Sequence, residues 1–109
     1  MKWVTHILWG VAVLTLLKAD LVTAAAAAAF HTAVTDVLGH SGLRRNKYHD
    51  LASIATAAVI AAYMLNPIYL LLGLLHVFLD WASPGRLAVS WAYNTLWSLP
   101  PALILIHTY

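Results

Sequence analysis

Five apolar segments, separated by short polar stretches, dominate the pattern along the chain. Charged residues, glycine or proline follow each of the first four segments. Long apolar runs that end in this way are typical of helices. The pattern predicts helices at 3–17, 21–37, 51–65, 68–81 and 87–106, with Pro100 and Pro101 kinking or breaking the last one.

The composition favours a membrane environment for these helices. Of the 109 residues, 62% are hydrophobic and only 9% are charged, whereas a typical soluble domain has roughly 25% charged residues. A transmembrane helix needs about 20 apolar residues, and most of the segments are somewhat shorter. We therefore expect one all-α domain over residues 1–109, an integral membrane helical bundle of about five short helices.

The basic residues predict an orientation in the membrane. A cytoplasmic N-terminus and an outer C-terminus leave only Lys18, next to Asp20, on the outer side, which agrees with the positive-inside rule. The inner basic residues are then Lys2, Arg44, Arg45, Lys47 and Arg86. The apolar run after Lys2 is similar to a signal peptide. His6 and Trp9 interrupt that run, so we expect a retained first helix.

Histidine and aspartate recur together at helical spacing. Asp36 and His40 are four residues apart, and so are His76 and Asp80. Residues i and i+4 share one face of a helix, so each pair can direct two side chains at one point. Such a pair can also be a simple ion pair within a helix. Asp and His inside a membrane are costly, and they are usually functional or paired.

The expected topology brings these side chains to one side of the membrane at a common depth. The chain has no cysteine, so a metal site must use imidazole and carboxylate, which suit zinc or manganese better than copper(I). We expect one or two divalent ions, zinc before manganese. The predicted ligands are His6, Asp36, His40, His49, His76 and Asp80. His31 is left out because it lies about 13 Å deeper than His40 on the opposite helix face.

Arginines lie beside the predicted ligands. Arg44 and Arg45 can hold a phosphate group in a bidentate geometry, so we predict a catalytic role for both. Their alternative role is to set the topology and to contact lipid headgroups. The small excess of six basic over four acidic residues does not indicate a specific nucleic-acid surface.

These residues resemble the motifs of the predicted membrane-bound metal-dependent hydrolases, which include LexA-regulated bacterial inner-membrane proteins and shorter archaeal or viral relatives. That family has an N-terminal Thr-His, an Asp-x-x-x-His with glycine before the histidine, an arginine-containing segment ending in His-Ser, and a His-x-x-x-Asp followed by a turn. The matching stretches here are Thr5 with His6, then 36–40, 44–49 and 76–80. The short archaeal form is the closer likeness, and the fifth helix matches only as an apolar tail.

The resemblance implies hydrolysis of a phosphoester on a phospholipid-like substrate at the cytoplasmic membrane face. It implies this because the family is distantly similar to zinc-dependent phospholipase C and to fungal single-strand nucleases. Asp50 departs from the family pattern, which has serine at this position. We predict that Asp50 adds a ligand or acts as a general base, and we place it with the catalytic residues. The expected partners are the lipid bilayer and a phospholipid.

Two other functions fit the same sequence. The first is a non-catalytic, oligomeric membrane structural or assembly protein, in which the His/Asp cluster is a metal or polar-network staple. The alanine run at 24–29 favours a homo-oligomer in that case, because small residues let helices approach closely. The second is metal or proton transport, for which His31 is the only clear intermediate group.

Overall fold

The computed structural model describes the backbone of residues 2–41, 44–45, 49–83, 87 and 89–108, and the side chains of all of these except 37–41, 44–45 and 49. Within this part of the chain there are five α-helices, a 3-10 turn at Pro67–Tyr69 and a short antiparallel pair of strands. The helices are α1 (Trp3–Leu16), α2 (Leu21–Gly39), α3 (His49–Met64), α4 (Leu70–Trp81) and α5 (Trp91–Thr108), and the strands are β1 (His40–Ser41) and β2 (Arg44–Arg45). The expected number of helices is confirmed.

The expected membrane bundle is wrong. Among the residues that the structure describes, no helix combines the length and the apolar character needed to cross a membrane. Helices α1, α3 and α4 have 14, 16 and 12 residues, against about 20 for a span. Helix α5 has 18 residues but includes Asn94, two prolines and His107. The predicted integral membrane location, with a cytoplasmic N-terminus and an outer C-terminus, is overturned by the same finding.

The helices pack on one another in chain order, and α5 returns to pack on α1. Two glycines allow the closest approaches. A Cβ atom on Gly10 would lie 2.9 Å from the Cβ of Ala28 and from a methyl group of Leu72. A Cβ atom on Gly73 would lie 3.0 Å from backbone atoms of Ile54 and Ser53. Real Cβ atoms rarely make contacts this short. Gly10 therefore lets α1 pack closely against α2 and α4, and Gly73 lets α4 pack closely against α3.

Local signals in the sequence end the first helices. Asp20 precedes α2, and its carboxylate accepts a hydrogen bond from the backbone N–H of Thr23 at 3.2 Å, as expected of an N-cap. Lys18 follows α1 with φ 74°, and Leu65 follows α3 with φ 53°. Helices commonly end with a residue in this left-handed conformation, and that residue is usually glycine. Here the residues are lysine and leucine.

Helix α5 continues through Pro100 and Pro101, so of the predicted kink or break the break is wrong. Pro101 has no N–H to bond to the carbonyl of Trp97, four residues earlier. The indole N–H of Trp9 in α1 donates to that carbonyl instead, at 2.9 Å. The Trp97 carbonyl thus lacks a hydrogen bond within α5 and instead accepts one from Trp9, which attaches α5 to α1.

Candidate metal centre

Three of the predicted ligands meet in the interior, at the contact between α1 and α4. His76 and Asp80 lie one turn apart on the inner face of α4, as their spacing predicts. His6 reaches them from the first turns of α1. All three are buried, with 5%, 2% and 6% of His6, His76 and Asp80 exposed. Burying three ionisable groups is costly unless they satisfy one another or bind an ion.

The carboxylate of Asp80 contacts one nitrogen of each imidazole. Its Oδ1 is 3.1 Å from Nε2 of His6, and its Oδ2 is 3.4 Å from Nε2 of His76. The imidazole rings stack with centroids 4.0 Å apart and planes 11° from parallel. One ligand atom from each residue lies within 4.8 Å of the others. The group is therefore close enough to bind a metal ion.

These separations are comparable to those between ligands of a metal ion. Ligand atoms held at about 2.0–2.1 Å from one tetrahedral zinc ion are about 3.3 Å apart. The two nitrogen–oxygen separations, 3.1 and 3.4 Å, are close to that value, although they involve different oxygens of Asp80. Hydrogen bonds of ordinary length need the same spacing, so the geometry serves both an ion and a direct polar network.

The electrostatics keep Asp80 ionised. Burial alone would raise its pKa, but the hydrogen bond with His6 and the electrostatic interactions with His6 and His76 outweigh burial and lower the pKa of Asp80 below its ordinary value. Because a carboxylate can only accept, Nε2 of His6 carries the proton in that bond. Its other nitrogen, Nδ1, is buried and has no hydrogen-bond partner among the described residues. A buried nitrogen of this kind is satisfied by a water molecule or an ion.

Asp36 approaches the same group from α2. Its Oδ1 lies 4.0 Å from Nε2 of His76, and the side chain is partly buried. The predicted convergence of Asp36 with His76 and Asp80 is thus present.

His31 belongs to this neighbourhood, although the sequence argument left it out. Only 1% of His31 is exposed, and its ring lies edge-on to that of His76 with centroids 5.4 Å apart. His31, His6 and His76 all line a cavity of about 10 Å³, which is room for one water molecule or ion. The buried face of α2 includes residues 24, 28, 31, 32 and 35, but the alanine run at 24–29 gives no contrast in the sequence that would mark this face.

Polar contacts around the site were also missed by the sequence argument. The hydroxyl of Thr5, next to His6, donates to Oδ1 of Asn94 in α5 at 3.0 Å. Nε2 of His31 donates to the backbone carbonyl of Ser53 at 2.9 Å, and the Ser53 hydroxyl donates to the carbonyl of Gly73 at 3.1 Å. These contacts join α1 to α5, α2 to α3 and α3 to α4 in the neighbourhood of the cluster. Neutral Ser, Thr and Asn residues give no metal or catalytic pattern in a sequence, which is why they were not identified.

Four other predicted residues lie outside the part of the chain whose side chains are described: His40, His49, Arg44 and Arg45. The backbone of His40 pairs with that of Arg45, and Ser41 pairs with Arg44. Asp50 is exposed in the first turn of α3. It lines a surface cleft of about 310 Å³ with residues of α4, including Trp81. Asp50 is not one of the three clustered ligands, and its predicted catalytic role stays a prediction.

No protein family, curated protein or solved structure matches this chain. The resemblance to the membrane-bound metal-dependent hydrolases therefore stays a prediction from the sequence motifs. The arguments that follow rest on the geometry of the site.

Proposed function

We propose that this protein binds one divalent metal ion, zinc before manganese, through His6, His76 and Asp80, and that the ion serves the hydrolysis of a phosphoester. The observation that carries the proposal is the convergence of two imidazoles and one carboxylate from helices 74 residues apart. Three protein ligands of this type, with a fourth position left open, are the usual set of a catalytic zinc site.

The residues of the chain have separate tasks in this proposal. Ionised Asp80 offsets part of the charge of the ion, and its position orders both imidazoles. Asp36 supplies a further carboxylate at the open side. Arg44 and Arg45 bind the phosphate, as their place in the motif predicts. Asp50 accepts a proton, a role predicted from its departure from the family pattern. A bound ion of this class supplies Lewis-acid chemistry, polarising the phosphoryl oxygen and activating water.

A second candidate function is a structural metal ion that joins α1 to α4. The observation that favours it is the burial of the site, since the cavity beside the histidines holds only about 10 Å³. A substrate does not fit in that volume, so hydrolysis requires the site to open. A structural ion requires no opening, because such sites are closed.

Metal analysis of the purified protein tests the part that both candidates share. We expect about one equivalent of zinc or manganese after loading and dialysis, and its loss in Asp80→Asn and His76→Ala. Asp80→Asn keeps the size of the side chain, and circular dichroism would show that the variant folds. His107→Ala is the matched control, because His107 is exposed near the end of α5. Wild-type protein without metal after loading contradicts both candidates.

Hydrolysis of bis(p-nitrophenyl) phosphate separates the two candidates. A metal-dependent hydrolase turns over this diester when loaded with zinc, and it loses activity on chelation and in Asp80→Asn. A structural ion gives full metal content and no turnover, while chelation lowers the melting temperature. Metal-loaded protein that is inactive on diesters and monoesters alike would therefore exclude the hydrolase and retain the structural ion.

A further inference from the structure

The small cavity beside the metal centre is lined by residues of α1, α2 and α4, among them His6, His31 and His76. Its volume of about 10 Å³ is that of one water molecule. Nδ1 of His6 is buried and has no hydrogen-bond partner among the described residues. Because nearly all buried polar atoms in folded proteins have a partner, the cavity is the place where a partner for this nitrogen can lie.

His31 offers a second polar atom at the same cavity. Its Nε2 donates to the backbone carbonyl of Ser53 at 2.9 Å, so the neutral ring has its proton on Nε2 and its lone pair on Nδ1. Thr32, the next residue of α2, also lines the cavity. A buried water molecule makes about three hydrogen bonds. The two imidazoles and the hydroxyl of Thr32 can supply that number.

A metal ion is a less suitable occupant of this cavity than water. An ion requires several ligand atoms around one point. Within the part of the chain that the structure describes, the group with that arrangement is His6, His76 and Asp80, and Asp80 is not part of the cavity lining. Nε2 of His6 faces Asp80. An ion beside Asp80 therefore takes Nε2 of His6 and leaves Nδ1 for the cavity.

We propose that one water molecule occupies this cavity and joins Nδ1 of His6 to Nδ1 of His31, and that His31 thereby positions His6 for the metal ion. The positioning role rests on the proposed function. In the metal-free protein Nε2 of His6 donates to Asp80, so Nδ1 accepts from the water. With a metal ion on Nε2, the neutral ring carries its proton on Nδ1 and donates it to the water. The water donates to His31 in both states.

The hydrogen bond from Nδ1 of His6 fixes both the tautomer and the orientation of a metal-binding imidazole. Loss of such a contact typically weakens metal binding by about 10–100-fold. We expect His31→Leu to bind one equivalent of zinc with a dissociation constant increased by that factor, as measured by competition with a chromophoric chelator. Ile60→Ala is the control for lost packing, because Ile60 is buried in the core and lines a different groove, between α2 and α3. The control should bind zinc like wild type.

NMR of the wild-type protein tests the water directly, and part of this test needs no metal. Cross-relaxation in the metal-free protein should show a long-lived water molecule near the Cε1 protons of His6 and His31. Two-bond proton–nitrogen correlation spectra should show His6 protonated at Nε2 without metal and at Nδ1 after zinc loading. A merely structural role of His31 would not produce this change of tautomer. Absence of the water would overturn the proposal.

Two further results would also contradict it. Zinc bound to Nδ1 of His6 would show that the ion, and not water, occupies the cavity. An unchanged zinc affinity of folded His31→Leu would remove the positioning role. Failure of the wild type to bind zinc would refute the proposed function and the positioning role that rests on it, while the metal-free spectra would still decide whether the water is present.

Discussion

The surroundings of His31 hold its imidazole in one neutral form. Burial lowers the pKa of His31, the hydrogen bond to the Ser53 carbonyl works in the opposite direction, and the charge of His6 lowers the pKa again. Because the carbonyl can only accept, the proton of the neutral ring lies on Nε2 and the lone pair on Nδ1. The structure thus specifies both the charge and the tautomer of this residue.

The lowered pKa of His31 predicts a loss of stability in mild acid. In the unfolded chain an imidazole takes up a proton near pH 6.5. Between that pH and the lower folded pKa, the unfolded state binds more protons, so the free energy of unfolding decreases as the pH falls. One such proton contributes at most about 1.4 kcal/mol per pH unit. Urea unfolding of chelator-treated protein at pH 7.5 and 5.5 measures this decrease.

His31→Gln provides the comparison, because its amide can donate to the Ser53 carbonyl but does not titrate. We expect the free energy of unfolding of this variant to depend less on pH than that of wild type. An equal dependence in both proteins would assign the acid sensitivity to the other histidines and refute the assignment to His31.

Leu65 is a residue at which the sequence and the backbone disagree. It has φ 53° and is 91% exposed. A non-glycine residue in the left-handed conformation destabilises the folded state by about 1–2 kcal/mol. Glycine avoids this cost, but the greater flexibility it gives the unfolded chain cancels roughly half of the gain. We expect Leu65→Gly to raise the free energy of unfolding by about 0.5–1 kcal/mol. Leu65→Ala keeps the strain and should give no gain; equal effects of the two substitutions would contradict the explanation.

At the scale of the elements, the attachment of α5 to α1 depends on a carbonyl that proline leaves without an intrahelical donor. Trp9→Phe removes the donor to the Trp97 carbonyl, which should lower the free energy of unfolding by about 1–2 kcal/mol. In a Pro101→Ala background the alanine N–H can bond to that carbonyl, so the same substitution should cost less. A double-mutant cycle should give a coupling of about 1 kcal/mol. Costs that add within about 0.3 kcal/mol would show that the hydrogen bond from Trp9 does not compensate for the missing N–H of Pro101.

The positions of the helices followed from the apolar pattern, but whether the helices cross a membrane did not. Local signals such as Asp20 and Asn66-Pro67 act within a few residues, so helix ends agreed with the prediction to within a few positions. The membrane assignment relied on a composition averaged over the whole chain. A span depends instead on uninterrupted apolar length. The predicted segments were already shorter than a span, and α3 and α4 have only 16 and 12 residues. The continuation of α5 through its prolines could not be predicted, because it depends on Trp9 in another helix.

At the scale of the whole molecule, part of the site follows from local spacing and part from contacts between helices distant in sequence. The i,i+4 spacing of His76 and Asp80 was sufficient to place them on one face of α4. The approach of His6 was expected from a common membrane depth, and it is produced instead by close packing around Gly10. The assumption of a common depth also excluded His31. Contacts between helices distant in sequence thus decide which histidines share the site, and a helical period cannot specify them.

Because the cluster joins α1 to α4 across 74 residues, an ion bound there should stabilise the fold as a whole. An ion that binds only the folded chain, at 100 times its dissociation constant, raises the free energy of unfolding by about 2.7 kcal/mol. We expect zinc to raise the melting temperature of wild type and His107→Ala, and a chelator to reverse the change. In Asp80→Asn zinc should have little effect. Hydrogen exchange should show increased protection of amides in both α1 and α4, since the ion opposes their separation. Protection confined to one of these helices would show that the ion binds at a surface site and not between them.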